Sequence, residues 1–109
     1  MRQSGSDAID VTVHGATTKA VVSGDFDMQA TFTIEPALER VLVEPGVRAL
    51  VIDLSGLRFV DSTGIGVLIR IEGEAKRRDV ALSIVPGPPD VHRVFEMAGL
   101  EDALPFTGR

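Results

Sequence analysis

The chain of 109 residues contains no cysteine, no tryptophan and no tyrosine. Without a thiol, disulfide bonds, thiolate metal sites and cysteine nucleophiles are excluded, and only His14 and His92 can supply an imidazole. Five phenylalanines are the only aromatic residues, so the core must be built mainly from valine, isoleucine, leucine and alanine. That composition favours an α/β domain over a small, aromatic-rich β-barrel.

An excess of positive charge and long apolar runs are also missing. The formal net charge is -5, so a nucleic-acid backbone would be repelled and we expect no direct nucleic-acid binding. The chain has no basic tail and no basic amphipathic segment that would indicate contact with a membrane. No apolar run approaches the length of a membrane span, and Met1 to Asp10 is too polar for a signal peptide, so we expect a cytoplasmic protein.

The length fits one domain with a single core. We find no internal repeat and no linker, so we expect one domain over residues 1–109, of which residues 1–8 form a disordered leader.

Apolar spacing predicts the first elements. Ile9–Val13 alternates with a period of two, which is typical of a half-buried strand. After a turn at Gly15, Ala20–Gly24 predicts a second strand, and the two form a hairpin. A helix follows, ending near Val43, and it should begin close to Thr33 because Pro36 is tolerated only in a first turn.

The second half of the chain predicts parallel pairing. Arg48–Leu54 is almost continuously apolar, as strands covered on both faces are. Helices are predicted for Ser62–Arg78 and Val91–Met97, with a strand between them at Val80–Val85. Strands that alternate with helices of this length indicate parallel βαβ units and the α/β class.

The segment Leu57–Gly66 lies between a buried strand and a helix. The carboxyl ends of strands are where ligands and partners meet an open α/β sheet. Ser62 is placed either to cap the helix or to stand within its first turn. Because a helix start carries free N–H groups and partial positive charge, a phosphate on Ser62 would be tolerated by its own chain.

Projection of the second helix at 100° per residue separates two apolar groups. Ile65 and Ile69 fall on the same side as Ser62 and Gly66, which suggests a surface for a partner. In the alternative interpretation, both isoleucines pack under a loop and Ser62 is an ordinary N-cap. The predicted core stripe lies on another side and consists of Val67, Leu68, Ile71 and Ala75.

Other chemistry is weakly supported. Gly64-Ile65-Gly66 lacks the third glycine of a dinucleotide fingerprint, and no P-loop or Gly-x-Ser-x-Gly motif occurs. We therefore expect neither an enzyme nor a cofactor. The four aspartates near one end of the predicted sheet could bind Mg²⁺, but such acids are more often solvated turn formers, and we expect no metal site. They are Asp25, Asp27, Asp53 and Asp61.

Three segments in order resemble one family. DLSGLRFVDSTGIGVL, at Asp53–Leu68, closely resembles the signature of STAS domains of the anti-sigma factor antagonist type. GDFD at Gly24–Asp27 is similar to the family's Gly-Glu-Leu-Asp loop, with Asp25 and Phe26 as conservative replacements. VFEMAGL at Val94–Leu100 is similar to its C-terminal Leu-Phe-Asp-x-x-Gly-Leu segment.

The resemblance implies a four- to five-stranded mixed sheet, an N-terminal hairpin plus parallel βαβ units, packed with about three to four helices. It also implies partner switching in a bacterial stress response. The unphosphorylated protein binds an anti-sigma factor serine kinase of the GHKL type and frees its sigma factor. Phosphorylation of Ser62 abolishes binding, and a PP2C-type phosphatase restores it. We expect a monomer or weak dimer.

Partner contacts are expected around the phosphorylation site and the first loop. Asp27 matches the loop acid associated with recognition by the kinase in this family. The expected partner-binding residues are Asp25, Asp27, Asp61, Thr63, Gly64, Ile65, Gly66 and Ile69.

Two other functions remain open. The same fold could serve as a scaffold or accessory subunit of a stress-signalling or lipid-transport complex without a role in sigma factor control. A small phosphotransfer or hydrolytic enzyme that uses Ser62 and the nearby acids is less well supported, because no general base is evident.

Overall fold

A computed structural model describes residues 2–5 and 8–108, with five strands and three helices in these ranges. The elements, in chain order, are β1 (Arg2–Gly5), β2 (Ile9–His14), β3 (Thr17–Phe26), α1 (Met28–Val43), β4 (Ala49–Val60), α2 (Ser62–Arg77), β5 (Ala81–Val85) and α3 (Pro89–Met97).

The strands form one mixed sheet in the order β1-β2-β3-β4-β5. The β1–β2 and β2–β3 pairs are antiparallel, whereas β3–β4 and β4–β5 are parallel. Parallel neighbours require a crossover connection, and α1 and α2 supply the two crossovers. The predicted α/β architecture, a hairpin followed by parallel βαβ units with three helices, is confirmed. No helix in the described ranges has both the length and the apolar character needed to cross a membrane.

The core is aliphatic, as the composition predicts, and it is centred on β3, β4 and the inward faces of the helices. Phe26 and Phe95 are the largest side chains in it, and both are fully buried. The predicted core stripe of α2 is confirmed, because none of its side chains is more than 1% exposed. Its members are Val67, Leu68, Ile71 and Ala75.

Helix α1 begins five residues before the predicted start at Thr33. The side chain of Asp27 caps it by accepting a hydrogen bond from the backbone N–H of Ala30 at 3.0 Å, and Pro36 therefore lies inside the helix. The prediction was wrong because the cap at Asp27 and the burial of the inward-facing side chains outweigh the cost of a proline in the helix interior.

Both central strands run further than predicted. β3 continues through Asp25 and Phe26, which the sequence suggested were part of a loop, and β4 continues to Val60. The extensions pair with each other, with irregularities in register between Val21 and Ser23 and between Gly24 and Asp25. The extensions contain polar and glycine residues, so they lack the apolar alternation that predicts a strand. The shifts in register interrupt the alternation further.

The predicted leader overlaps the edge of the sheet. Residues 1, 6 and 7 lie outside the described residues, and the backbone of Arg2–Gly5 forms β1 beside β2. Strand β1 was not predicted, since its polar sequence carries no alternating apolar pattern.

Candidate functional site

The site lies where β3 and β4 end side by side. Phe26 is paired with Val60 in the parallel register, and the next residues, Asp27 and Asp61, each cap the following helix. The backbone N–H of Asp61 donates to the carbonyl oxygen of Phe26 at 3.3 Å, which ties the two chain segments together. The starts of α1 and α2 therefore share one edge of the sheet.

The Asp61 carboxylate organises the first turn of α2. One of its oxygens accepts from the backbone N–H groups of Thr63 at 3.0 Å and Gly64 at 3.2 Å, and also from the Thr63 hydroxyl. The hydrogen bond from the Thr63 side chain is the main reason that the pKa of Asp61 lies below its ordinary value, and the backbone amides of Gly64, Thr63 and Met28 act in the same direction. The amides at the starts of both helices thus favour the ionised form of Asp61.

Ser62 is the first helical residue of α2, and its side chain is exposed. It does not cap the helix, because Asp61 occupies that position. Of the two placements that the sequence allowed, the structure has Ser62 within the first turn. The hydroxyl is consequently accessible at the electropositive end of the helix.

The remaining aspartates of this region have separate local roles. Asp25 is exposed, and its carboxylate lies 3.5 Å from Nε of Arg58. The Asp53 carboxylate accepts from the backbone N–H of Ser55 at 2.9 Å and lies 3.5 Å from Nζ of Lys19.

Metal-ligand geometry occurs elsewhere in the described part of the chain, at His92, Glu96 and Glu101, whose ligand atoms lie within 4.8 Å of one another. Nε2 of His92 lies 3.4 Å from a carboxylate oxygen of Glu101. None of the four aspartates belongs to this group.

The two glycines of the first turns of α2 have different surroundings. Gly64 faces inward and is buried, and a Cβ atom on it would lie 2.5 Å from the carbonyl oxygen of Phe26. Gly64 therefore serves the close packing of α2 against Phe26, and partner contact at this residue stays a prediction. Gly66 is half-buried, and a Cβ atom there would meet only the Arg70 guanidinium, at 3.3 Å.

The two isoleucines of the predicted partner surface differ in exposure. Ile65 is half-buried and packs against the core, which agrees in part with the alternative interpretation. Ile69 is 44% exposed. The accessible apolar surface on this side of α2 is therefore carried mainly by Ile69.

Three exposed apolar side chains on α1 and at the end of β4 were not predicted. Met28 is the first residue of α1, and its side chain is 62% exposed. Phe32 follows one helical turn later and is 78% exposed, and Phe59 lies three residues before Ser62. With Ile69 they form a set that we call the apolar rim: Met28, Phe32, Phe59 and Ile69. Alternation and helical periodicity give no signal for such residues, because they face away from the core.

An ion pair joins the two helices along this surface. The Arg70 guanidinium donates two hydrogen bonds to the Glu35 carboxylate, from Nε at 2.8 Å and from a terminal nitrogen at 3.0 Å. These hydrogen bonds hold the pKa of Glu35 below its ordinary value. Ile69 directly precedes Arg70, and Phe32 lies about one helical turn before Glu35. The ion pair therefore holds together the two helices that carry these rim residues.

Comparison with known proteins bears on the family to which the fold belongs. A family model described as the STAS domain matches residues 8–108. A protein of Staphylococcus aureus (strain NCTC 8325 / PS 47) named anti-sigma-B factor antagonist is 28% identical over 99 residues, which is 88% of each chain. The crystal structure of an anti-sigma factor antagonist from Mycobacterium paratuberculosis has a TM-score of 0.78 at 26% identity and covers 93% of this chain and 85% of its own. The structure of the Bacillus cell fate determinant SpoIIAA in the phosphorylated form has a TM-score of 0.70 at 19% identity, over 94% of this chain and 93% of its own.

Proposed function

Because the chain belongs to the STAS domain family, we propose that it is an anti-sigma factor antagonist that acts by binding and not by catalysis. In its unphosphorylated form it binds an anti-sigma factor serine kinase of the GHKL type, which then releases its sigma factor. Phosphorylation of Ser62 ends the binding, and a PP2C-type phosphatase restores it. The observation that carries the proposal is the exposed Ser62 side chain at the start of α2, on the helix face that also carries the exposed Ile69 of the apolar rim.

The position of Ser62 suits a phosphate that must not disturb the fold. Phosphorylation adds about -1.5 to -2 charges and three acceptor oxygens. The start of α2 offers N–H groups and partial positive charge to that anion. Since Asp61, and not Ser62, caps the helix, modification of the Ser62 hydroxyl leaves the cap in place.

The same phosphate opposes a partner that packs on the rim. An interface over Phe32 and Ile69 removes water from their neighbourhood, and a phosphate inside it has to be desolvated. The Asp61 carboxylate beside it adds like-charge repulsion. A buried charge without a partner costs several kcal/mol, which corresponds to a hundredfold or greater loss of affinity.

The exposure and hydrogen bonding of the two hydroxyl groups favour Ser62 over Thr63 as the phosphorylation site. The Thr63 hydroxyl is half-buried and donates to the Asp61 carboxylate, whereas the Ser62 side chain is exposed. After incubation with ATP and the kinase, we expect mass spectrometry to locate a single phosphate on Ser62. A phosphate on Thr63 alone would contradict the proposed site.

A binding experiment with the purified kinase tests the switch. Ser62→Asp should weaken binding about a hundredfold or more, while Ser62→Ala should bind like the wild type and resist inactivation by ATP. Ala81→Asp is the control for added charge, because Ala81 is exposed at the start of β5, at the opposite end of the sheet from Ser62; it should bind normally. If Ser62→Asp binds the kinase as tightly as the wild type does, the proposed phosphorylation switch is wrong.

A second comparison tests the rim. Phe32→Ser should weaken binding of the kinase about tenfold or more, as loss of an aromatic anchor does, without a loss of stability because the side chain is 78% exposed. Met97→Ser is the control, since Met97 is 81% exposed but lies on α3. Equal effects of both variants would remove the rim from the proposal.

A chain that no such kinase binds, but that enters a large assembly insensitive to ATP, would support the scaffold function instead.

A further inference from the structure

An imidazole and two carboxylates converge at the end of α3. His92 and Glu96 are four residues apart in the helix, so they share one of its faces. The helix ends at Met97, and Gly99, with a φ of 74°, redirects the chain so that Glu101 lies beside His92. The ligand atoms of the three side chains all lie within 4.8 Å of one another.

The spacing of the histidine and one of the glutamates already suits a shared metal ion. Nε2 of His92 lies 3.4 Å from a carboxylate oxygen of Glu101. Two ligand atoms on a tetrahedral zinc ion are roughly 3.4 Å apart, because Zn–N and Zn–O bonds are about 2.0–2.2 Å long. The Glu96 side chain is exposed, so a change of rotamer can bring its carboxylate to the same ion.

Packing holds the imidazole of His92 in place. The ring makes an edge contact with the Phe106 ring at a centroid distance of 4.7 Å, and it lies 6.1 Å from the Phe95 ring. Histidines that bind metals usually have their second nitrogen fixed by a hydrogen bond. Nδ1 of His92 is buried and has no such partner within the described residues, so the two phenylalanine rings provide the orientation instead.

Access and charge also suit a cation. The His92 side chain is 15% exposed and that of Glu101 is 34% exposed, so an ion can reach the cluster from solvent. Glu96 takes part in none of the ion pairs found within residues 2–5 and 8–108. A simple pair of His92 with Glu101 would use one carboxylate, whereas a divalent cation would bring both carboxylates to one positive centre.

We propose that His92, Glu96 and Glu101 bind a divalent transition-metal ion of the zinc class, with solvent at the remaining position. An imidazole together with carboxylates suits zinc, whereas magnesium and calcium prefer oxygen ligands alone. The ion would clasp α3 to the chain that follows it. That chain continues to the edge of β5, where the N–H of Ile84 donates to the carbonyl oxygen of Pro105 at 2.9 Å.

Zinc titration of the metal-stripped full chain tests the site without any kinase. His14 and His92 are the only histidines, and His14 does not belong to the cluster, so it is an internal control. In ¹H–¹⁵N correlation spectra of the imidazole nitrogens, we expect one equivalent of Zn²⁺ to shift the His92 signals and leave those of His14 in place. The same concentration of Mg²⁺ should shift neither ring.

Two acids of α3 give matched variants. Glu96→Gln should weaken zinc binding more than tenfold in calorimetry, because even the loss of a group that only orients a ligand costs that much. Asp90→Asn should bind like the wild type, since Asp90 is exposed on the same helix but is not part of the cluster. Neither change affects a buried side chain, so both variants should fold.

Thermal unfolding gives a second measurement. Zinc at a hundredfold excess over its Kd should raise the Tm of the wild type by about 10 °C, and the same concentration should raise that of Glu96→Gln much less. The proposal is overturned if zinc shifts neither ring or both rings alike, if Mg²⁺ shifts His92 equally, or if Glu96→Gln binds zinc as tightly as Asp90→Asn.

Discussion

The Asp61 carboxylate ties the stability of the site to pH. Its pKa is lowered, first by the hydrogen bond from the Thr63 side chain and then by backbone amides. A group whose pKa is lower in the folded than in the unfolded state stabilises the fold when it is ionised. That stabilisation is complete above the unfolded pKa, at about pH 4 for an aspartate, and it is lost as the pH falls through the folded pKa.

Replacement by asparagine isolates the charge at this residue. Asparagine is also a good N-cap, so Asp61→Asn should cost about 0.5–1 kcal/mol at pH 7, as a half-buried carboxylate at a helix start provides. We expect the difference from the wild type to shrink as the pH falls below about 4, where the aspartate becomes neutral too. Urea unfolding at several pH values measures it. Asp61→Ala also removes the cap acceptor and should remain less stable than Asp61→Asn at every pH. A wild-type advantage over Asp61→Asn that stays constant down to pH 2 would contradict this account.

The seating of α2 on the sheet depends on the absence of a side chain at one position. A Cβ atom on Gly64 would lie 2.5 Å from the carbonyl oxygen of Phe26 and 2.9–3.0 Å from its ring. Backbone and a fully buried ring cannot move aside easily. At Gly66 the nearest atom is the flexible end of Arg70, at 3.3 Å.

The two glycines therefore predict opposite results from the same substitution. Gly64→Ala should lower the free energy of unfolding by about 1–3 kcal/mol, because it overpacks the contact with Phe26. Gly66→Ala should leave it unchanged or raise it by up to about 1 kcal/mol, since alanine favours the helix. Chemical denaturation of both variants measures the pair. Equal destabilisation by the two would show that the start of α2 shifts freely on the sheet.

For whole helices and strands, the hydrophobic pattern of the sequence predicts only the faces that pack against the core. The stripe from Val67 to Ala75 follows helical periodicity, and Ser62 follows from the family motif, so both could be predicted. The start of α1 could not, because Pro36 obscured the cap at Asp27. Phe32 and Phe59 were missed because an exposed apolar residue breaks no pattern, and the inward direction of Gly64 depends on its contact with Phe26 across the sheet.

Across the whole molecule, the proposed switch sits at the edge of a rigid centre. β3 and β4 each have a strand on both sides, and their inward side chains, such as Ala20 and Ile52, are fully buried. Ser62 lies beyond the end of β4, outside that core. We therefore expect a charge at Ser62 to change the surface that the proposed partner meets without loosening the sheet.

Hydrogen exchange on the full chain tests this separation. Central strands of a packed sheet open only with global unfolding, whereas helix ends open locally. In Ser62→Asp, amides of β3 and β4 should retain wild-type protection, within about a factor of three. Changes should be confined to the first turn of α2 and the start of α1, because the Asp61 carboxylate accepts from the amide of Gly64 and the Asp61 backbone N–H donates to Phe26, two residues before α1. Gly64→Ala serves as the opposite control, since it disturbs the contact with Phe26 and should speed exchange throughout the sheet. If Ser62→Asp speeds exchange across β3 and β4 to the same extent, the added charge acts by weakening the fold, and a switch confined to the binding surface is excluded.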